Sequence, residues 1–260
     1  MKKTFIAIAI TLMPFKLVSD DIWVGLFAKK VPYTAETFVY GENLSEFNNA
    51  IDREWNNGFD IVDIEYGDGK WSAIMAKGTG YKQQVYLHKR YLKNLDRAYK
   101  AYREKGFHIL KVSYGVGYWI AIMSKGTEYS DTRYDRVRYL DEFRALISKR
   151  WEEGYALIDV ERAEGYWFGV FAKGSKVKRE AYDIVEDWRD VKGVVEGRWK
   201  SGLHLKNIEN VSDGWFCIFT DEDAGEESYI FNEKFYNFKH SIKKQWDKDM
   251  NLINITYGRD

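Results

Sequence analysis

The sequence contains a single cysteine, Cys217, so no internal disulfide can staple the fold. Only two prolines occur, and no polar low-complexity tract, which excludes a proline-rich linker and a long disordered tail. Charge of either sign is not in excess: 40 Lys and Arg balance 40 Asp and Glu. There is thus no electrostatic basis for binding nucleic acid or an anionic membrane surface. The apolar run Phe5 to Phe15 covers 11 residues, short of the roughly 20 that a membrane-spanning helix needs. Preceded by Lys2 and Lys3 and followed by the small Ser19, it has the form of a cleavable secretory signal over residues 1–19. The competing reading is a buried N-terminal strand. Cleavage would remove Lys2, Lys3 and Lys16 and no acid, leaving 37 of the 40 basic side chains against 40 acidic ones. The expected product is a near-neutral secreted or periplasmic protein with no membrane span, residues 20–260 forming one domain.

What the sequence has in abundance is tryptophan at a fixed interval. Trp23, Trp71, Trp119, Trp167 and Trp215 are each 48 residues apart, and their surroundings repeat as WVGLFAKK, WSAIMAKG, WIAIMSKG, WFGVFAKG and WFCIFTDE. Gly58, Gly106, Gly154 and Gly202 keep the same interval, and Asp249 takes the fifth place one residue early. Five copies of one supersecondary unit are therefore present, and the repeat precedes every other inference. After each Gly comes a β-like run such as Phe59 to Tyr66, then a turn at Gly67-Asp68-Gly69. A second run, Lys70 to Ala76, is apolar on both faces, as suits a strand covered on both sides. A shorter, wetter run spans Gln83 to Leu87, after which the period changes: Leu92, Leu95, Tyr99 and Tyr102 share one helical face. Each unit reads β-β-β-α, and the repeat Gly suits the left-handed residue after a helix end.

The first unit lacks its first strand, and Met250 to Gly258 supplies a matching strand at the other end. Pairing the two ends would leave no open edge. The expected fold is a β-rich α+β protein, a closed five-fold β-propeller-like ring of 48-residue units, each a small meander with a helix.

The runs Trp55-x-x-Gly58-Phe59-x-Ile61 and Gly69-x-Trp71-x-x-Ile74-Met75-x-Lys77-Gly78-Thr79-x-Tyr81, with the ending Ile253-Asn254-Ile255-Thr256-Tyr257-Gly258-Arg259, resemble the repeat domain that follows the kinase domain in plant casein-kinase-like kinases. The resemblance covers essentially the whole chain after residue 19 and implies shared architecture. It implies no activity.

Candidate sites follow from the repeat. The loop after the second strand reads Lys77-Gly78-Thr79-Gly80-Tyr81 and Lys125-Gly126-Thr127-Glu128-Tyr129, with Lys29 and Tyr33 in a weaker first copy and decay at Lys173 and Asp221. A Lys donor and a Tyr ring at equivalent loops suit repeated contact with a polysaccharide or protein ligand, most of all in the sector of Tyr81 and Tyr129. The plainer reading is a turn whose Gly serves backbone geometry and whose Tyr caps a sheet. Asp63 and Asp159 share a repeat position with Lys111, Asn207 and Asn254; Glu65, Glu161 and Glu209 lie two residues on. Two such acids would serve a glycan hydrolase, and the plainer alternative is a solvated strand face. The Trp positions suit packing, as does Cys217, which is in register with Gly25, Ala73, Ala121 and Gly169. His108 and His204 share a position with no acid or Cys in register, so no metal or cofactor site is expected. A non-enzymatic binding protein is the first expectation, and the hydrolase is the alternative.

Overall fold

A computed structural model describes residues 21–211 and 214–259; the signal-like segment 1–19 lies outside them. Every two-period run forms a strand. The first runs become β3 (Asp60–Gly67), β6 (His108–Gly115), β9 (Tyr155–Ala163), β12 (His204–Asn210) and β15 (Asn251–Arg259). The Trp runs become β1 (Asp21–Ala28), β4 (Lys70–Lys77), β7 (Tyr118–Lys125), β10 (Tyr166–Lys173) and β13 (Trp215–Thr220). The third runs become β2 (Ala35–Gly41), β5 (Gln83–Lys89), β8 (Asp131–Val137), β11 (Glu180–Val185) and β14 (Glu227–Asn232). Helices α1 (Leu44–Asn56), α2 (Leu92–Arg103), α3 (Leu140–Glu152), α4 (Trp188–Lys200) and α5 (Phe235–Trp246) follow the third runs. Gly58, Gly106, Gly154 and Gly202 all adopt positive φ just past a helix end, and Asp249 does so at 57° in the fifth copy. The early residue in the repeat therefore fills the same backbone role.

The strands build five three-stranded antiparallel sheets with a Trp strand in the middle of each. One expectation is corrected here. The three strands of a sequence unit do not form one meander, because β5 pairs with β7 and β2 with β4, so each third run joins the following sheet. The reason is that both edges of β4 are already occupied, by β2 and β3, leaving β5 no partner there. In the remaining sheet β1 pairs with β14 on one side and β15 on the other, with Asp21 opposite Arg259 and Val24 opposite Thr256. The two ends of the described chain thus lie side by side, as their sequences imply.

A second device links the sheets. The outer-strand side chains Glu36, Gln84, Thr132 and Glu180 each accept from a backbone N–H on the inner strand of a neighbouring sheet: Leu252 at 3.2 Å, Ile61 at 2.7 Å, Ile109 at 2.7 Å and Leu157 at 3.1 Å. Each of those inner-strand residues immediately precedes a β-bulge, where the next residue, Ile253, Val62, Leu110 or Ile158, has no ladder partner. The side chain gives the N–H beside the bulge an acceptor on the neighbouring sheet. Trp55 and Trp151 at the helix ends donate to the same Gln84 and Glu180, so these indoles carry polar as well as packing duties.

The core lies between sheets. Val39, Phe47 and Ile51 pack with Ile61, Trp71 and Met75, and with Ile120 and Ile122 of the next sheet. Trp23, Trp71, Trp119 and Trp215 are fully buried, each worth a few kcal/mol on burial. Trp188 packs edge-on against Trp215 at 4.8 Å. Cys217 is buried in the same cluster, and burial pushes its thiol well above the ordinary range; it is a small core side chain.

Candidate functional site

The inner strands bring their matching positions together. Lys111 on β6 reaches Asp63 on β3 at 2.9 Å, Asp159 on β9 at 3.1 Å and Glu209 on β12 at 3.6 Å. Asp63 also accepts from Asn254 Nδ2 at 2.9 Å and from the backbone N–H groups of Ile64 and Ile255 at 2.9 and 2.7 Å. Asp159 accepts from Val112 N–H and from Asn207 Nδ2. Residues 48 apart in sequence thus meet at one level, because each unit presents the same strand to its neighbours. The solvated-face reading is overturned: Asp63 is 3% exposed and Asp159 1%.

Five carboxyls (Asp63, Glu65, Asp159, Glu161 and Glu209) share this buried space with the one ammonium of Lys111. Such an imbalance cannot stay fully ionised in a low dielectric. Burial, reinforced by Glu209 and Glu161, holds Glu65 well above the carboxylate range, and burial pushes Glu161 up to about 7. Glu209 is raised likewise, by burial first. For Lys111, burial opposes the charge, but Asp159, Asp63 and Glu209 outweigh it and hold the ammonium firmly protonated. Among the described residues no group of His, Cys, Asp and Glu is arranged to hold a metal ion.

The loop residues divide into two groups. The Lys side chains turn outward onto aromatic rings of their own sheet: Lys77 over Phe59 at 4.6 Å, Lys125 over Phe107 at 4.7 Å and Lys173 over Tyr155 at 5.3 Å. Where the aromatic becomes Leu203, the Lys becomes Asp221; opposite Met250, Lys29 instead pairs with Glu226 at 2.6 Å. That paired change was legible in the sequence and points to packing. Gly78 has φ 82°, and an added Cβ would lie 2.6 Å from Pro32 O of the neighbouring loop, so adjacent loops overlap closely.

Tyr33, Tyr81 and Tyr129 are half-buried and lie near one another. Burial pushes Tyr81 up to about 12, and it raises Tyr33 strongly, with the Tyr81, Glu36, Asp63 and Tyr129 charges adding to it. At 48-residue spacing the next two positions are Val177 and Gly225. A depression of about 790 Å³ lies between Tyr33 and Tyr129 on one side and residues 175–178 and 220–224 on the other, floored by Leu157, Ile158 and Ile253. Its charges are largely paired: Lys206 with Glu222 at 2.9 Å, Lys176 with Glu128 at 3.7 Å, and Lys30 with Asp223. Of the tyrosines expected to meet a ligand, Tyr33 and Tyr129 line it and Tyr81 does not.

A family model described as a domain of unknown function, DUF7477, matches residues 17–260. The chain belongs to this family. A search of curated proteins finds no match. The DUF7477 match spans the whole five-unit region, so family membership and the repeat describe the same stretch of chain.

Proposed function

We propose that this chain is a secreted or periplasmic, non-enzymatic binding protein whose polysaccharide or protein ligand seats in the loop-face depression. The carrying observation is a depression of about 790 Å³ lined by Tyr33, Tyr129 and Val177, the last standing where the first three loops have tyrosine. An apolar floor with tyrosine walls and a rim of paired charges has the make-up of a binding pocket. The scaffold reading that goes with it is a closed five-sector, β-propeller-like ring. In its favour are the β1–β15 pairing and the unbroken circuit of inner-strand contacts through Asp63, Lys111, Asp159, Asn207, the N–H of Ile208 beside it, and Asn254. On that reading, the likeness to the repeat domain of plant casein-kinase-like kinases is one of shared architecture.

The hydrolase reading gains nothing from this geometry. Asp63 and Asp159 do come together, but both are buried and their oxygens are taken up by Lys111, two asparagines and backbone N–H groups. A catalytic pair needs a carboxyl free to meet substrate.

The test is a glycan and protein array screen of the chain, repeated with Val177→Tyr. The substitution restores the tyrosine of the other loops and fills the depression. We expect every hit to be lost with an unchanged thermal midpoint; hits that survive Val177→Tyr place binding elsewhere.

A further inference from the structure

The depression breaks the repeat at its floor. Each inner strand carries one bulged residue without a ladder partner: Val62, Leu110, Ile158, Lys206 and Ile253. A bulge re-aims the side chain that it carries, and three of the five, Ile158, Lys206 and Ile253, line the depression. Four units place an aliphatic residue at this position, packed against the core. Of the five, β12 alone places a cation there. It is hydrogen-bonded to β9 through Asn207 and to β15 through the N–H of Ile208, so Lys206 lies between the two isoleucines.

The same unit departs from the repeat twice more. Thr220 stands where three of the other Trp strands have Ala28, Ala76 and Ala172, and Glu222 stands where three loops have Gly78, Gly126 and Gly174. Both line the depression. Glu222 pairs with Lys206 at 2.9 Å. Thr220 is 4% exposed, and its Oγ1 has no hydrogen-bond partner among the described residues. The hydroxyl of Ser124, in the remaining copy, donates instead to Gln83 O at 3.0 Å. A buried hydroxyl left unpaired costs stability, as does a cation drawn in among aliphatic side chains. The fold itself therefore favours alanine and isoleucine at these two positions, and a bound ligand is what would use threonine and lysine.

We propose that these departures select the ligand, and that the ligand is an oligosaccharide bearing a uronate carboxylate. The inference rests on the depression being the binding site. An ammonium has three N–H donors; Glu222 takes one, leaving two for a ligand carboxylate, while Thr220 Oγ1 pairs with a sugar hydroxyl. Tyr33 and Tyr129 in the wall supply aromatic surface against which the C–H side of a pyranose packs. A space of about 790 Å³ suits a short run of sugar rings better than the broad contact that a protein partner makes. Glu128, Glu222 and Asp223, all lining residues, oppose further negative charge nearby. That disfavours sulfated chains and acidic peptides and fits a single carboxylate.

Calorimetric titration of the full chain compares an oligogalacturonate with its methyl ester, which has the same rings and no charge. The acid should bind about tenfold or more tightly than the ester. Lys206→Ile, which installs the residue of the neighbouring bulges, should bring the two ligands to within about twofold without lowering the thermal midpoint. Thr220→Ala should weaken acid and ester alike, also at an unlowered midpoint. Equal binding of acid and ester by the wild type, a preference that survives Lys206→Ile, or no binding of either ligand overturns the proposal. So do tighter binding of an oligoaspartate peptide and lowered midpoints in both variants, which would make the departures structural. Val177→Tyr separates this failure from that of the reading beneath it. Neutral ligands lost on Val177→Tyr would keep the depression as the site and remove only the uronate, whereas oligogalacturonate binding that Val177→Tyr leaves unchanged would remove the depression itself.

Discussion

The buried inner-strand layer and the loop rim are built from the same side chains, Lys, Asp and Glu, yet do opposite things. At the inner strands Lys111 is almost wholly removed from water and shared among Asp63, Asp159 and Glu209. At the rim Lys176 and Glu128 are 3.7 Å apart with side-chain exposures of 85% and 48%. Coulomb energy between exposed charges is screened, so the rim pair contributes almost nothing to stability, whereas removing one partner of a buried set leaves uncompensated charge. Residue type therefore does not tell structure from site here; burial does.

The sharpest break of this contrast is deletion of residues 250–260. This removes β15, which pairs with β1 and supplies Asn254 and the Ile255 N–H to Asp63. The cooperative melt of the whole domain should disappear, by calorimetry; a domain that keeps its midpoint would mean that the chain ends contribute independently of the rest.

Lys111→Met comes next. With its five carboxyl neighbours left without a cation, the cost should be about 3–5 kcal/mol in urea unfolding, and Asp159→Asn in the same chain should recover part of it. The rim counterpart Lys176→Met should change stability by less than about 0.5 kcal/mol. Equal effects of the two Lys substitutions would erase the comparison.

Proton linkage sharpens it further. Burial raises Glu161 to about 7 and Glu180 to about 8, above the 4.5 of a free glutamate. The folded state therefore binds protons that the unfolded chain has released. The resulting stability is complete below about pH 4.5 and is lost as pH rises through 7 to 8, on the order of 3–5 kcal/mol for each group. Thermal midpoints should fall from pH 5 to pH 8.5, and Glu180→Gln should flatten the upper part of that fall. A midpoint that rises over this interval contradicts the assignment.

The smallest effect concerns the outward Lys of the loops. Lys125→Met removes a cation from the Phe107 face, 4.7 Å away, and should cost about 0.5–1 kcal/mol without altering any ligand binding. A binding defect in Lys125→Met would return these lysines to the site.

Much of the architecture was legible in the chain itself. The 48-residue interval located fifteen strands and five helices, and the complementary ends anticipated the pairing of β1 with β15. Asp249 was recognisable as the fifth helix-end residue and does take positive φ. These features are local or periodic: a strand's alternation, a helix's 3.6 period and a left-handed cap are written in neighbouring residues, and a repeat writes them five times.

Tertiary structure decided the rest. Which sheet each third strand joins depends on which edges are free, and no property of Gln83 to Lys89 alone states that. Whether Asp63 faces water or Lys111 depends on four other units arriving at the same level. Even the depression is lined by residues from well-separated stretches of the chain, among them Tyr33, Tyr129, Val177 and Ile253, which only the tertiary structure brings together. The sequence determined the unit and its count. Packing of unlike copies against one another determined where charge is sealed in and where the surface opens.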